Sequence, residues 1–178
     1  MSAAARQDDV FPAPDYAVLF VCTGNICRSP TAHGVLVQQL QRAGLAARVQ
    51  VDSAGTHGYH RGDPPDERSQ AHAARRGYDL STLRARQVTT EDFDQYDLIL
   101  AMDGGHLALL GERCPPAQQH KLQRFTAWCR RHRAHDVPDP YYGGAQAFEH
   151  VLDLVEDGCA ELLLHIRRQL AAGRQRDV

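Results

Sequence analysis

Cys22 and Arg28 are separated by five residues in Cys22-Thr23-Gly24-Asn25-Ile26-Cys27-Arg28-Ser29. The apolar run Ala17-Val18-Leu19-Phe20-Val21 precedes them, and a helix-compatible stretch opens at Pro30. A buried strand therefore runs into a tight loop that begins with a thiol and ends with a guanidinium, and a helix N-terminus points back into that loop. Such a loop suits a dianion. Five intervening residues let the backbone curl into a nest of N–H groups, and Gly24 and Asn25 best tolerate the left-handed backbone this curl demands. Thr23 to Ser29 would then surround phosphate oxygens, with the planar fork of Arg28 binding two of them at once. Beside a guanidinium and a helix N-terminus, Cys22 is expected to be a thiolate at neutral pH and a nucleophile. Ser29 is expected to cap the helix that starts at Pro30, with its hydroxyl also in reach of the Cys22 sulfur. A bare Cys-x5-Arg pattern carries little. The strand before it, the Gly-Asn within it and the Arg-Ser-Pro and helix after it carry the reading.

At these residues the chain resembles a known family. Val21-Cys22-Thr23-Gly24-Asn25-Ile26-Cys27-Arg28-Ser29-Pro30 looks like the phosphate-binding signature of the low-molecular-weight protein tyrosine phosphatases, and Asp139-Pro140-Tyr141-Tyr142-Gly143 resembles the loop that carries their general acid. Weaker matches lie at 51–56, 85–87 and 98–103, so the resemblance spans about residues 16–170. It implies hydrolysis of phosphotyrosine and small aryl phosphates through a phosphocysteine, with Cys22 as nucleophile, Arg28 as clamp, Asp139 as acid and then base, and no metal or cofactor. Pro140 holds Asp139 extended, although an Asp-Pro read alone is more often just a turn. Tyr141 and Tyr142 follow the acid, and Tyr59 occupies a position where the family often carries an aromatic wall. Each ring is either a wall that stacks on the substrate or partial core, and His57 and His60 flank the same rim. Cys27 is either a resolving thiol that traps oxidised Cys22 as a disulfide or a small residue packing under the loop. The family often places a His at the position of Leu83, in a network behind the loop; here that network is expected to consist of Asn25, Ser29 and Ser53.

The elements that must hold these groups alternate between strand and helix. Strands are expected over 16–21, 48–53, 97–102 and 121–125, and helices over 31–41, 66–76, 106–112 and 145–170, with Gly44 and Gly77 as stops. This pattern predicts a single α/β domain, an open twisted parallel sheet of about four strands with helices on both faces, in which ligands bind beyond the carboxyl ends of the strands. Residues 1–15, rich in Ala, Asp and Pro, read as a disordered lead-in and 171–178 as a frayed tail, leaving 16–170 as the domain.

Composition narrows the remaining options. A chain of 178 residues, 43% hydrophobic and 24% charged, can bury one core. Its net charge of −2 offers no case for nucleic acid. No apolar stretch approaches the ~20 residues of a membrane span. Five cysteines without a disulfide-framework spacing fit a reducing, cytoplasmic setting. The basic run Cys129 to His135 reads as a solvated segment or a dock for an acidic or phosphorylated partner, since its Cys and His spacing matches no standard zinc pattern. One Lys against many Arg hints at a GC-rich bacterial genome, for which the resemblance implies tyrosine-phosphorylated proteins, bacterial tyrosine kinases or host proteins, as partners. Two rivals remain: an arsenate reductase of the same fold, which needs a further close pair of cysteines, and a phosphotyrosine-binding protein without activity, which would lack Cys22 or Asp139.

Overall fold

The computed structural model describes residues 12–174. Four parallel strands, β1 (Tyr16–Cys22), β2 (Val49–Gly55), β3 (Leu98–Ala101) and β4 (Leu122–Arg124), form one sheet in the order β2-β1-β3-β4. The helices are α1 (Arg28–Arg42), α2 (Glu67–Arg75), α3 (Asp92–Gln95), α4 (Gly104–Arg113) and α5 (Ala145–Arg174). β1 is central and its residues from Ala17 onward are all buried, which is why it reads as a continuous apolar run rather than an alternating one. Successive side chains of a strand point to opposite faces, and the core divides accordingly. Val18, Phe20 and Cys22 with Leu98 and Leu100 pack on α1 and α5, whereas Ala17, Leu19 and Val21 with Ile99 and Ala101 pack on Phe93, Tyr96 and Leu110 of the α3 and α4 side. Helices thus cover both faces, as the alternating pattern predicts.

From β1 the chain crosses to β2 on one side, while β3 pairs with β1 on the other. The carboxyl ends of β1 and β3 therefore lie side by side at a point where strand order reverses, the usual position of a ligand crevice in such sheets. Cys22 ends β1, and Asp103 follows β3.

Most expected elements are present with shifted ends. α1 and α2 stop at Gly44 (φ 70°) and Gly77 (φ 88°), in the left-handed backbone these glycines permit. α1, however, begins at Arg28, with Cys27 in the capping position and no side-chain cap. Ser29 therefore lies inside the first turn and does not cap the helix. α5 continues through Arg174, past the expected end at Leu170. The expected lead-in falls on residues 1–11 outside the described residues and on an ordered approach in which the Asp15 N–H donates to Arg48 O (2.8 Å); of the expected tail, residues 175–178 lie outside them.

Candidate active site

The segment from Thr23 to Cys27 links β1 to α1 beside the end of β2. Its shape is fixed by hydrogen bonds from Thr56 N to Cys22 O (2.8 Å) and from His57 N to Thr23 O (3.0 Å). Asn25 takes the left-handed turn (φ 59°), but Gly24 does not; what glycine allows at 24 is close approach, since a Cβ there would meet Cδ2 of the His60 ring at 2.9 Å.

Behind the loop the proton directions can be assigned. The Arg86 backbone N–H donates to Asn25 Oδ1 (3.0 Å), so the amide turns its NH₂ to Ser29 Oγ (2.8 Å). The Ser29 hydroxyl, accepting there, is left to donate to Cys22 Sγ, 3.0 Å away, with Ala54 O a more distant alternative at 3.5 Å. The expected network is correct for Asn25 and Ser29 but not for Ser53. The Ser53 hydroxyl instead meets Nδ1 of His33 on α1 (3.1 Å), and Leu83 packs against the core.

Arg28 is buried, yet its charge is matched. Nη1 donates to Asp103 Oδ2 (2.9 Å) and to Val137 O (3.0 Å), and Nη2 stands 3.8 Å from Asp139 Oδ2. The two bonds of Nη1 hold the guanidinium plane. The Val137 N–H in turn donates to Met102 O at the end of β3 (2.8 Å), which brings the following segment, with Asp139, over the loop. Asp139 Oδ1 accepts from Tyr141 N (3.1 Å), a turn in which the Asp side chain bonds the backbone two residues on.

Cys22, Arg28 and Asp139 thus line one cavity of about 240 Å³, together with Tyr59, Tyr141 and Tyr142. These rings are 75%, 40% and 93% exposed, so they are walls of the opening and not core. His60 also lines the cavity, while His57 stacks on Tyr59 at 5.0 Å and hydrogen-bonds Thr56. Tyr141 meets Tyr142 edge-on at 4.9 Å, and the Arg68 guanidinium lies 5.4 Å from the Tyr141 ring centre. Thr23, Gly24, Ile26 and Cys27 complete the lining. Burial pushes the Cys27 thiol up to about 12, against a hydrogen bond from Ser69 that lowers it. Cys114, Cys129 and Cys159 do not line this cavity, so no second pair of thiols adjoins Cys22 and Cys27.

A larger groove of about 550 Å³ lies elsewhere, between α5, Arg76 and residues 130–132. Most of its charges are paired with one another. Arg76 pairs with Asp153 and Glu156 at 2.9 Å and with Glu149, and the Asp157 carboxylate accepts the backbone N–H groups of Arg130, Arg131 and His132. The basic run is therefore a segment clamped to α5. Two residues in the site were not singled out from sequence: Asp103 and His106, whose Nε2 is 2.7 Å from Thr23 Oγ1. A carboxylate directly after an apolar strand was the available signal for Asp103; His106 offered none.

The family described as low molecular weight phosphotyrosine protein phosphatase matches residues 17–173. A putative low molecular weight protein-tyrosine-phosphatase of Synechocystis is 46% identical over 154 residues, covering 86% of this chain and 98% of that protein. Low molecular weight protein-tyrosine phosphatase A of Mycobacterium tuberculosis is 41% identical over 155 residues, 86% of this chain and 93% of its own. Among solved structures, a protein tyrosine phosphatase from Entamoeba histolytica with Hepes in the active site superposes with a TM-score of 0.84 at 38% identity, covering 86% of this chain and 97% of that one. A family match that runs through both the Cys22 loop and the Asp139 turn, with relatives and a solved structure aligned over 86% of the chain, leaves one assignment: the chain belongs to the low molecular weight phosphotyrosine protein phosphatase family.

Proposed function

We propose that this protein hydrolyses phosphotyrosine in proteins, and small aryl phosphates, with Cys22 as nucleophile, Arg28 as phosphoryl clamp and Asp139 as the proton carrier. The observation that supports this reading best is the convergence of these three side chains on one cavity walled by Tyr59, Tyr141 and Tyr142. Cys22 lies at the foot of the opening and is buried, while the rings stand exposed at its rim. A phenyl phosphate has the length to reach the sulfur and a ring face to offer the walls.

The Cys22 thiolate attacks phosphorus in line with the bond to the phenolic oxygen; the S–P bond forms as the P–O bond breaks, and the proton of Asp139 goes to the departing oxygen. Arg28, held by Asp103 and Val137 O through Nη1, has Nε and Nη2 for two phosphoryl oxygens, and the backbone N–H groups of residues 23–28 bind the rest. Because these donors are in place beforehand, the transition state meets them without reorganisation. In the second step the Asp139 carboxylate takes a proton from water, the water oxygen bonds to phosphorus, and sulfur leaves as an anion. The Ser29 hydroxyl, which donates to that sulfur, eases its departure.

Tyrosine-phosphorylated proteins, among them bacterial tyrosine kinases or host proteins, are the proposed substrates, and a reducing cytoplasm is the proposed setting for five free cysteines. No helix among the described residues is long and apolar enough to cross a membrane. Release of phosphate from an aryl phosphate in the presence of a chelator, lost in Cys22→Ser, tests the activity. Retention of a phosphotyrosine protein by Cys22→Ser tests the substrate class. Undiminished turnover by Cys22→Ser refutes the assignment.

A further inference from the structure

Thr23, the residue after the nucleophile, and Arg28, the first residue of α1 at the other end of the loop, are tied to one point. Thr23 Oγ1 lies 2.7 Å from His106 Nε2. The backbone N–H of His106 donates to Asp103 Oδ1 (2.9 Å), and Asp103 Oδ2 accepts from Arg28 Nη1 (2.9 Å). Asp103 caps α4 with one carboxylate oxygen and holds the phosphoryl clamp with the other. We propose that His106 is a positioning residue for the phosphoryl site, fixing Thr23 through its ring and Asp103, and hence Arg28, through its place in the first turn of α4.

The ring's proton can be placed. Burial, with a contribution from Arg28, lowers His106 to about 4, against the opposing pull of Asp103 and Asp139; His57 adds to the lowering. The imidazole is therefore neutral through the physiological range and carries one N–H. Nδ1 stands 3.1 Å from Asp103 Oδ1, out of line for a good hydrogen bond, and a lone pair there would oppose the carboxylate. The proton belongs on Nδ1, so Nε2 accepts and the Thr23 hydroxyl donates to it. The Thr23 hydroxyl is thereby committed to α4, while Thr23 itself lines the cavity. The ring is 5% exposed, so it has little freedom to turn and break the bond. Both ends of the six-residue span from Thr23 to Arg28 are anchored to the helix that follows the neighbouring strand, which preorganises donors that would otherwise reorganise during reaction.

This inference rests on the reading of the Cys22 loop as the phosphoryl site. The expected result for His106→Ala is a fall in kcat/KM of about ten- to a hundredfold together with a rise in the inhibition constant of inorganic phosphate. His106→Gln, whose amide reaches the position of Nε2, should recover most of the loss. Thr23→Val should show a similar loss, and adding His106→Ala to it should cost less than the product of the two single effects. A merely structural role would lower the active fraction, and so kcat, and leave KM and the phosphate constant unchanged; that pattern overturns the proposal. So does His106→Ala within about twofold of wild type, or single effects that multiply. If His106→Ala fails to fold, His106→Gln, Thr23→Val and the ¹⁵N resonances of the wild-type ring decide. A neutral Nδ1–H ring from pH 5 to 8 is expected; an Nε2–H ring, or protonation in that window, overturns the proposal. Cys22→Ser assayed alongside separates the two failures. Activity surviving in Cys22→Ser sinks the site assignment, whereas activity lost there but intact in His106→Ala sinks only the inference about His106.

Discussion

Arg28 Nη2 stands 3.8 Å from Asp139 Oδ2, across the cavity that both line. The other oxygen of Asp139 is taken by the Tyr141 N–H, so the carboxylate is steered by its own turn and faces the clamp with one edge. Arg28 and Asp139 therefore face each other within the cavity that Cys22 also lines. The distance is loose for an ion pair, and the Asp139 side chain is 51% exposed, so the pair itself contributes little to stability. What the arrangement offers is position: in the proposed reaction, a leaving oxygen on a phosphoryl group held by Arg28 would lie beside Asp139 Oδ2.

Asp139→Ala is expected to lower turnover by about a hundred- to ten-thousandfold for phenols that are poor leaving groups, and much less for activated phenols that depart without a proton. A series of aryl phosphates of graded phenol acidity checks this. An equal loss across the series would mean that Asp139 acts only through its contact with Arg28.

Cys22→Ser should reduce aryl phosphatase activity by about a thousandfold or more while phosphate analogues still bind, because the clamp and the loop donors are untouched. Ser29→Ala gives a graded counterpart. It removes the donor to Cys22 Sγ and the acceptor for Asn25 Nδ2, so it should slow breakdown of the phosphocysteine more than its formation. Burst kinetics with an activated aryl phosphate separate the two steps. A burst amplitude unchanged from wild type would place Ser29 outside the leaving-group chemistry.

The elements around the site were legible where local signals were strong. β1 announces itself by a buried run, α1 and α2 by glycine stops, and Cys22 to Arg28 by residue types that few other chemistries need. The start of α1 was misjudged because Pro30 and Ser29 look like a helix entry, whereas the loop feeds directly into the helix at Arg28. α3, only Asp92–Gln95, is too short to show a period. Ser53 was assigned to the wrong neighbour because its partner, His33, comes from α1, and nothing local in either segment announces that contact. Asp103 and His106 became visible only once β3 was known to pair with β1, which brings residues 75 positions apart into contact at Arg28 and Asp103.

Asp157 links pH to stability away from the site. Burial would raise its carboxyl, but the backbone N–H groups of His132, Arg130 and Arg131 outweigh burial and hold it below the usual range. A carboxyl depressed in the folded state contributes stability that is present above the unfolded value, near pH 4, and lost as pH falls through the folded value. Its side chain is 6% exposed, so solvent does little to replace these bonds. Asp157→Asn should cost about 1 to 3 kcal/mol at pH 7, and the gap between variant and wild type should begin to narrow near pH 4 and close as pH falls through the lower folded value. Urea unfolding over this pH range measures this. A gap independent of pH would show that the carboxylate charge is immaterial.

The last prediction concerns Cys27, which lines the same cavity as Cys22. Burial raises its thiol to about 12, so it is not itself a target for peroxide. Peroxide should convert Cys22 to a sulfenic acid, and Cys27 should then displace water to form a Cys22–Cys27 disulfide that a thiol reductant reopens with full return of activity. The raised value makes that capture slow near neutrality and faster as pH rises, because the attacking species is the thiolate. In Cys27→Ser the sulfenic acid has no partner and should proceed to irreversible sulfinic and sulfonic acids, so activity should not return. Mass spectrometry of the peptides after peroxide, with and without reductant, distinguishes a disulfide from added oxygen. Equal recovery of activity in wild type and Cys27→Ser would reduce Cys27 to packing beneath the loop.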